Sequence, residues 1–205
     1  MTPDDVARSY DAIASRWHPE FFPADNGIAA HRRAIAFVRR DVPSGGAALD
    51  VGCGGSGRII ELLLGEGFVP EGIDLSAQML ALARARHAAV PFTQCDVRTF
   101  RPPHDYALIS AWDSLWHLPR ADQLPAMRLL LSALAPGGAL VFTMGGLDAP
   151  AEKRDEAMGV PMYYATPGVP MALAAIDACG CVCRHLEFDQ FPEQHLVVIA
   201  QRPRG

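Results

Sequence analysis

Basic charge is in short supply. Of 205 residues, 18 are Lys or Arg against 23 Asp or Glu, a formal net charge of −5. Polyanion binding draws on a basic surface, so a nucleic-acid partner is not expected. Arg32, Arg33, Arg39 and Arg40 form the one obvious basic cluster, and they read as the wet face of a helix. Long apolar runs are missing as well. No 18 consecutive residues are apolar, so no membrane-spanning helix is expected. Asp4 and Asp5 stand where a secretory signal would be basic, and no apolar stretch follows them. Cysteine is scarce and odd in number, at five. Reduced thiols and a cytoplasmic setting are expected from that. Cys181, Cys183 and His185 alternate along a strand-like run. Alternate strand positions point in parallel rather than converging on one ion, so no metal site is expected.

What is present suits one domain with a sizeable core: half the residues are apolar and a fifth are charged. Residues 3–17 read as a helix capped at Thr2, with Val6, Tyr10, Ile13 and Trp17 on one stripe and His18-Pro19 as its stop. A second helix is expected at about 27–40, followed by a turn from Pro43 to Gly46. From Ala47 onward, short apolar strands alternate with helices up to residue 144. That rhythm predicts an α/β fold, a mostly parallel sheet with helices on both faces. Residues 145–167 break the rhythm and read as a loop long enough to be a lid. A helix at 168–178 follows. The last two strands, 181–189 and 195–201, lie close enough in sequence to pair as an antiparallel hairpin.

The sharpest motif is Asp50-Val51-Gly52-Cys53-Gly54-Gly55-Ser56-Gly57, at the junction of the first parallel strand and the next helix. Glycines there permit a tight turn and the close approach of a ligand. Asp74 ends the second strand 22 residues after Gly52, where its two acceptor oxygens suit the hydroxyls of a ribose. Asp96 ends the third strand, within reach of an adenine amino group. Gly52, Gly54 and Gly57 also satisfy a dinucleotide fingerprint, which keeps an oxidoreductase as an alternative.

Together these segments resemble the class I S-adenosylmethionine-dependent methyltransferases. Gly72-Ile73-Asp74-Leu75-Ser76 with Met79-Leu80 resembles their second motif and Cys95-Asp96-Val97 their third. Tyr106 to Trp112 and Leu134 to Leu140 resemble the fourth and fifth. The resemblance implies a Rossmann-like doubly wound sheet of seven strands, order 3-2-1-4-5-7-6, with strand 7 antiparallel. It implies a cofactor, S-adenosylmethionine, surrounded by Gly52, Cys53, Gly54 and Gly57 with Asp50 at the amino-acid end. Asp74 would take the ribose. Leu75, Met79, Asp96 and Val97 would lie about the adenine, and Ala111 and Trp112 beside the sulfonium. It also implies a helical cover over residues 1–42, with Tyr10 either in the core or over the methionyl part. Whether Gly55 or Gly57 makes the close contact stays open.

Methyl transfer needs alignment and exclusion of water, with a base only if the acceptor must lose a proton. The stretch Trp112-Asp113-Ser114-Leu115-Trp116-His117 offers candidates for the acceptor side. His117 is the candidate base, with Asp113 beside it; the rival readings are a cap on local carbonyls and a helix start. His31 is a third candidate, facing the acceptor or the solvent. The expected reaction is methyl transfer to a small-molecule acceptor by a monomer or homodimer. A non-catalytic protein binding the same cofactor is the other alternative.

Overall fold

The structure, a computed structural model, describes residues 1–21, 25–42 and 45–205, with 18–21 described by backbone alone. Phe22 and the Pro43-Ser44 part of the expected turn lie outside the described residues. Thr2 opens the first helix, α1 (Pro3–Phe21), as expected: its Oγ1 accepts from Asp5 N at 3.2 Å and Asp5 Oδ2 accepts from Thr2 N at 2.7 Å. The helix runs past His18-Pro19, correcting the expected stop. A proline costs one N–H bond, but its fixed φ is itself helical. Helix α2 follows at Ile28–Asp41.

Alternate residues of the central strands pack on opposite faces of the sheet, although nearly all are buried. The strands are β1 (Ala47–Val51), β2 (Val69–Asp74), β3 (Phe92–Gln94), β4 (Tyr106–Ala111) and β5 (Leu134–Gly145). Helices α3 (Arg58–Gly65), α4 (Ala77–Arg86) and α5 (Arg120–Ser132) connect them. Leu49, Val51 and Ile109 pack with α5 and with α6 (Val169–Ala178), whereas Ala48, Leu108 and Val141 pack with α2 and α3 on the opposite face. The final strands are β8 (Val182–Phe188) and β9 (His195–Gln201). β9 runs antiparallel to both β5 and β8.

The seven-stranded order is β3-β2-β1-β4-β5-β9-β8. The expected 3-2-1-4-5-7-6 is corrected in chain numbering, because two unforeseen strands intervene. They are β6 (Ala151–Ala157) and β7 (Val160–Thr166), a separate antiparallel hairpin where a loop was expected. The turn between them places Met158 at φ 53 and Gly159 at φ 80. Two successive left-handed residues match the twist of a tight hairpin. Met162 and Tyr163 on the hairpin bury against Val6 and Ile13 of α1, forming a satellite core beside the sheet.

The order reverses at β1, which lies between β2 and β4. A crevice at the carbonyl ends of the strands is the expected ligand site of such a sheet.

Candidate active site

A cavity of about 160 Å³ lies at that crevice. Its floor is the turn after β1. Gly52 N and Cys53 N both donate to Ile73 O, at 2.8 and 3.1 Å, tying the turn to β2. Gly54 has φ +57, and a Cβ built there would meet nothing within 4 Å. Its bare backbone therefore faces open space that protein packing does not need. Gly52 differs, since a Cβ would come 2.4 Å from Ser114 Cβ. Asp74 Oδ2 accepts from Gly54 N at 2.9 Å and Oδ1 from Ser76 N at 2.8 Å. Burial raises the Asp74 carboxyl above its ordinary value, against the backbone bonds that favour its charge.

Asp50 is paired across the sheet with Ser110 and shares a hydrogen bond with its hydroxyl. Burial pushes Asp50 up to about 6, with the Ser110 bond and the charge of Arg58 opposing it. Ser110 Oγ in turn lies 2.9 Å from His31 Nε2. Asp96 is gripped by Arg98, whose Nε is 2.9 Å from Asp96 Oδ2. Burial alone would raise the Asp96 carboxyl, and the Arg98 bonds outweigh it, leaving it lowered. Two buried polar atoms on the cavity wall, Trp112 Nε1 and Ser114 Oγ, have no partner among the described residues.

A second cavity, about 660 Å³, lies beyond the first and is bounded by the β6–β7 hairpin. Four residues line both: Tyr10, Trp17, Asp113 and His117. Tyr10 Oη is 2.8 Å from His117 Nε2. His117 Nδ1 donates to Tyr163 O at 2.8 Å, so the neutral ring carries its lone pair on Nε2, where Trp116 Nε1 also donates at 3.1 Å. Burial lowers His117 to about 4. Asp113 has φ 52 and receives its anchor from β5: its N–H donates to Thr143 Oγ1 at 2.8 Å. His195 Nε2 lies 2.8 Å from Asp113 Oδ1, and His195 Nδ1 bonds Asp189 Oδ1. Burial lowers the affinity of His195 for its proton, but the two carboxylates outweigh this and raise it.

Residues 48–138 match the family model described as the methyltransferase domain. Over that stretch the chain is similar to methyltransferases. A ubiquinone biosynthesis O-methyltransferase of Idiomarina loihiensis is 30% identical over 153 residues, 70% of this chain and 60% of that one. The chain thus spans about three fifths of the curated relatives of this kind that it matches. The solved DhpI–SAH complex superposes with a TM-score of 0.71 at 21% identity, covering 98% of this chain and 97% of that one. CalS10, an amino pentose methyltransferase from Micromonospora echinaspora, superposes at 0.68 with 20% identity, covering 93% and 96%. Likeness at these identities is likeness of fold.

Tyr10, Asp50, Gly52, Cys53, Gly54, Asp74, Leu75, Met79, Asp96, Val97, Trp112, Asp113 and His117 all line the smaller cavity. Three expected residues do not. Gly57 faces α4 instead, where a Cβ would meet His87 Nε2 at 2.5 Å, and Gly55 packs on Leu82. Of Gly54, Gly55 and Gly57, only Gly54 leaves open space at its Cβ position. Ala111 is fully buried within the sheet, because its strand parity turns it to the α5 face. His31 faces neither acceptor nor solvent: it is 0% exposed, with Nδ1 donating to Gly27 O at 2.7 Å. Sequence reasoning missed Thr143, Asp189 and His195. The antiparallel direction of the last strand was the available signal, since it starts that strand at the ligand end of the sheet. Among the described residues, no group of three or more His, Cys, Asp or Glu is placed to hold a metal, and no helix is long and apolar enough to cross a membrane.

Proposed function

We propose that the protein transfers a methyl group from S-adenosylmethionine to a small-molecule acceptor, with the cofactor in the smaller cavity and the acceptor in the larger. The observation that carries this is the shared wall of Tyr10, Trp17, Asp113 and His117, where a donor and an acceptor would meet. Fit to the cofactor rests on the open space at Gly54, the acceptor oxygens of Asp74 and the unpartnered Trp112 Nε1 and Ser114 Oγ. When bound, the cofactor supplies an electrophilic methyl group on a positively charged sulfur.

The chain's own residues bind, orient and exclude water. Asp74 holds the ribose hydroxyls, giving up part of its bonding to Gly54 N and Ser76 N. Leu75, Met79, Asp96 and Val97 enclose the adenine, while Asp50, Gly52, Cys53 and Gly54 bound the amino-acid end beside Trp112. Helix α1 and the β6–β7 hairpin act as the cover. Asp11 pins α1 by accepting from Ser76 Oγ at 2.6 Å and Gln78 N at 3.0 Å. His117 keeps Tyr10 at the junction. Its low proton affinity and its two donors make it an orienting group in this state rather than a strong base. A volume of about 660 Å³ lies in the range of small-ligand pockets, which favours a compact acceptor.

Parallel calorimetric titrations with S-adenosylhomocysteine and NAD test the reading. Saturable binding of the first and none of the second is expected. NAD binding in preference to S-adenosylhomocysteine would overturn it in favour of a dinucleotide enzyme.

A further inference from the structure

The walls of the larger cavity combine aromatic faces with carboxylates. Trp116 and Tyr164 stand with ring centroids 6.2 Å apart at 66°, and Tyr10 and Trp17, both on α1, meet edge to face at 5.0 Å. Asp113, Glu152 and Glu193 supply three carboxyl groups. The two cationic groups on this wall are already matched. Lys153 Nζ is 2.8 Å from Asp155 Oδ2, over the Tyr164 ring, and His195 sits between Asp113 and Asp189. Asp113 is the carboxylate that reaches both cavities. Its Oδ1 takes the bonds from His195 and Thr143, at 2.8 and 3.2 Å, while Oδ2 takes none among the described residues. His195 and Thr143 thus fix the carboxylate in a left-handed backbone position and leave one oxygen available at the junction.

We infer that the larger cavity selects a cationic amine, with the Asp113 carboxylate facing the nitrogen that receives the methyl group. Aromatic faces and carboxylates both attract an ammonium group, and both disfavour an anionic acceptor. The inference rests on the methyl-transfer reading and names its acceptor class. An ammonium nitrogen has no free electron pair, so it first yields one proton to Asp113 Oδ2, which returns it to solvent. The freed pair forms the N–C bond as the donor's C–S bond breaks. The C–S electron pair stays on sulfur, leaving a neutral thioether, and the positive charge moves to the methylated nitrogen. His195 and Thr143 are positioning residues, acting through Asp113.

Ring-matched pairs that differ in end charge test this: tyramine against 4-hydroxyphenylacetate, tryptamine against indole-3-acetate, and cyclohexylamine against cyclohexanecarboxylate. Binding is followed by calorimetry on the whole chain saturated with S-adenosylhomocysteine. The amines are expected to bind about tenfold or more tighter than their partners, and Asp113→Asn to remove most of that preference. Asn tolerates the left-handed position, so the variant keeps the backbone. Trp116→Leu is the second variant, expected to weaken amine binding by about tenfold through loss of one ring face. Carboxylates binding as tightly as amines, no amine binding at millimolar concentration, a preference that survives Asp113→Asn, or amine affinity unchanged by Trp116→Leu would each overturn the inference. Failure of S-adenosylhomocysteine to bind the unaltered chain overturns the methyl-transfer reading instead, and is seen before any amine is added.

Discussion

His195 Nε2 lies 2.8 Å from Asp113 Oδ1, across 82 residues of sequence. The contact joins the start of β9 to the loop after β4, and the register explains it: His195 pairs with Gly145 at the far end of β5. A strand antiparallel to its neighbours begins where they end. His195 is thereby delivered to the carbonyl edge of the sheet, among residues that the parallel strands bring there.

The pair has a thermodynamic signature. Asp113 and Asp189 raise the proton affinity of His195 in the folded state above that of the unfolded chain. Stability from this group is therefore complete below about pH 6.5 and is lost as pH rises through the higher folded value. Urea midpoints measured from pH 6 to pH 9 should fall more steeply for the unaltered protein than for His195→Gln. Parallel curves for the two proteins would refute the charged pair.

His117 behaves in the opposite sense. Burial lowers it to about 4, below its unfolded value, so the unfolded chain takes up the proton first as pH falls. Its contribution is present above about pH 6.5 and lost on the way down to about pH 4. The stability gap between the unaltered protein and His117→Gln should narrow across that interval. A gap independent of pH would show that the ring does not titrate as described. In turnover, the same substitution should slow methyl transfer with little change in S-adenosylhomocysteine affinity, because the imidazole holds Tyr10 rather than the adenosine.

Asp74→Ala should weaken S-adenosylhomocysteine binding by about 1–3 kcal/mol, the range for losing hydrogen bonds to a charged group. Asp74→Asn keeps the shape and separates loss of the carboxylate from loss of the turn's support, since Gly54 N and Ser76 N each need an acceptor. Unchanged titrations with both variants would remove Asp74 from the cofactor site.

The glycines of the turn should divide by cause. Gly54→Ala meets no neighbour, so its stability cost is the left-handed penalty of about 1–2 kcal/mol, while cofactor binding is strongly impaired. Gly57→Ala adds a 2.5 Å clash with His87 Nε2 and should lose more stability than cofactor affinity. Thermal melts with and without S-adenosylhomocysteine distinguish the two. Equal ligand shifts in both variants would contradict the assignment of Gly54 as the close-approach residue.

Local chemistry made much of this legible in the sequence. Strand β1, the glycine turn and Asp74 follow from short-range rules: apolar runs, φ > 0 at a strand-to-helix corner, and a carboxylate at the next strand's end. The Ser76 cap is equally local, with Met79 N donating to its Oγ at 3.1 Å. Strand β6 was illegible because Glu152, Lys153, Arg154, Asp155 and Glu156 lie consecutively and show no apolar alternation; it forms because β7 and α1 provide the surface it pairs beside. His31 was misread because a polar residue followed by two arginines looks exposed, while the sheet position of Ser110 gives it a buried partner distant in sequence.

The amino-acid order by itself determined where the sheet turns into a crevice and which backbone turn lines it, because those features depend on neighbours within a few residues. How the wall about the two cavities is assembled was decided by tertiary structure. Tyr10, Asp113 with His117, and His195 come from three separate segments, and no periodicity links those segments. Only the direction of β9 and the docking of α1 on the hairpin bring them to one wall, since side chains distant in sequence meet where packing leaves their backbones.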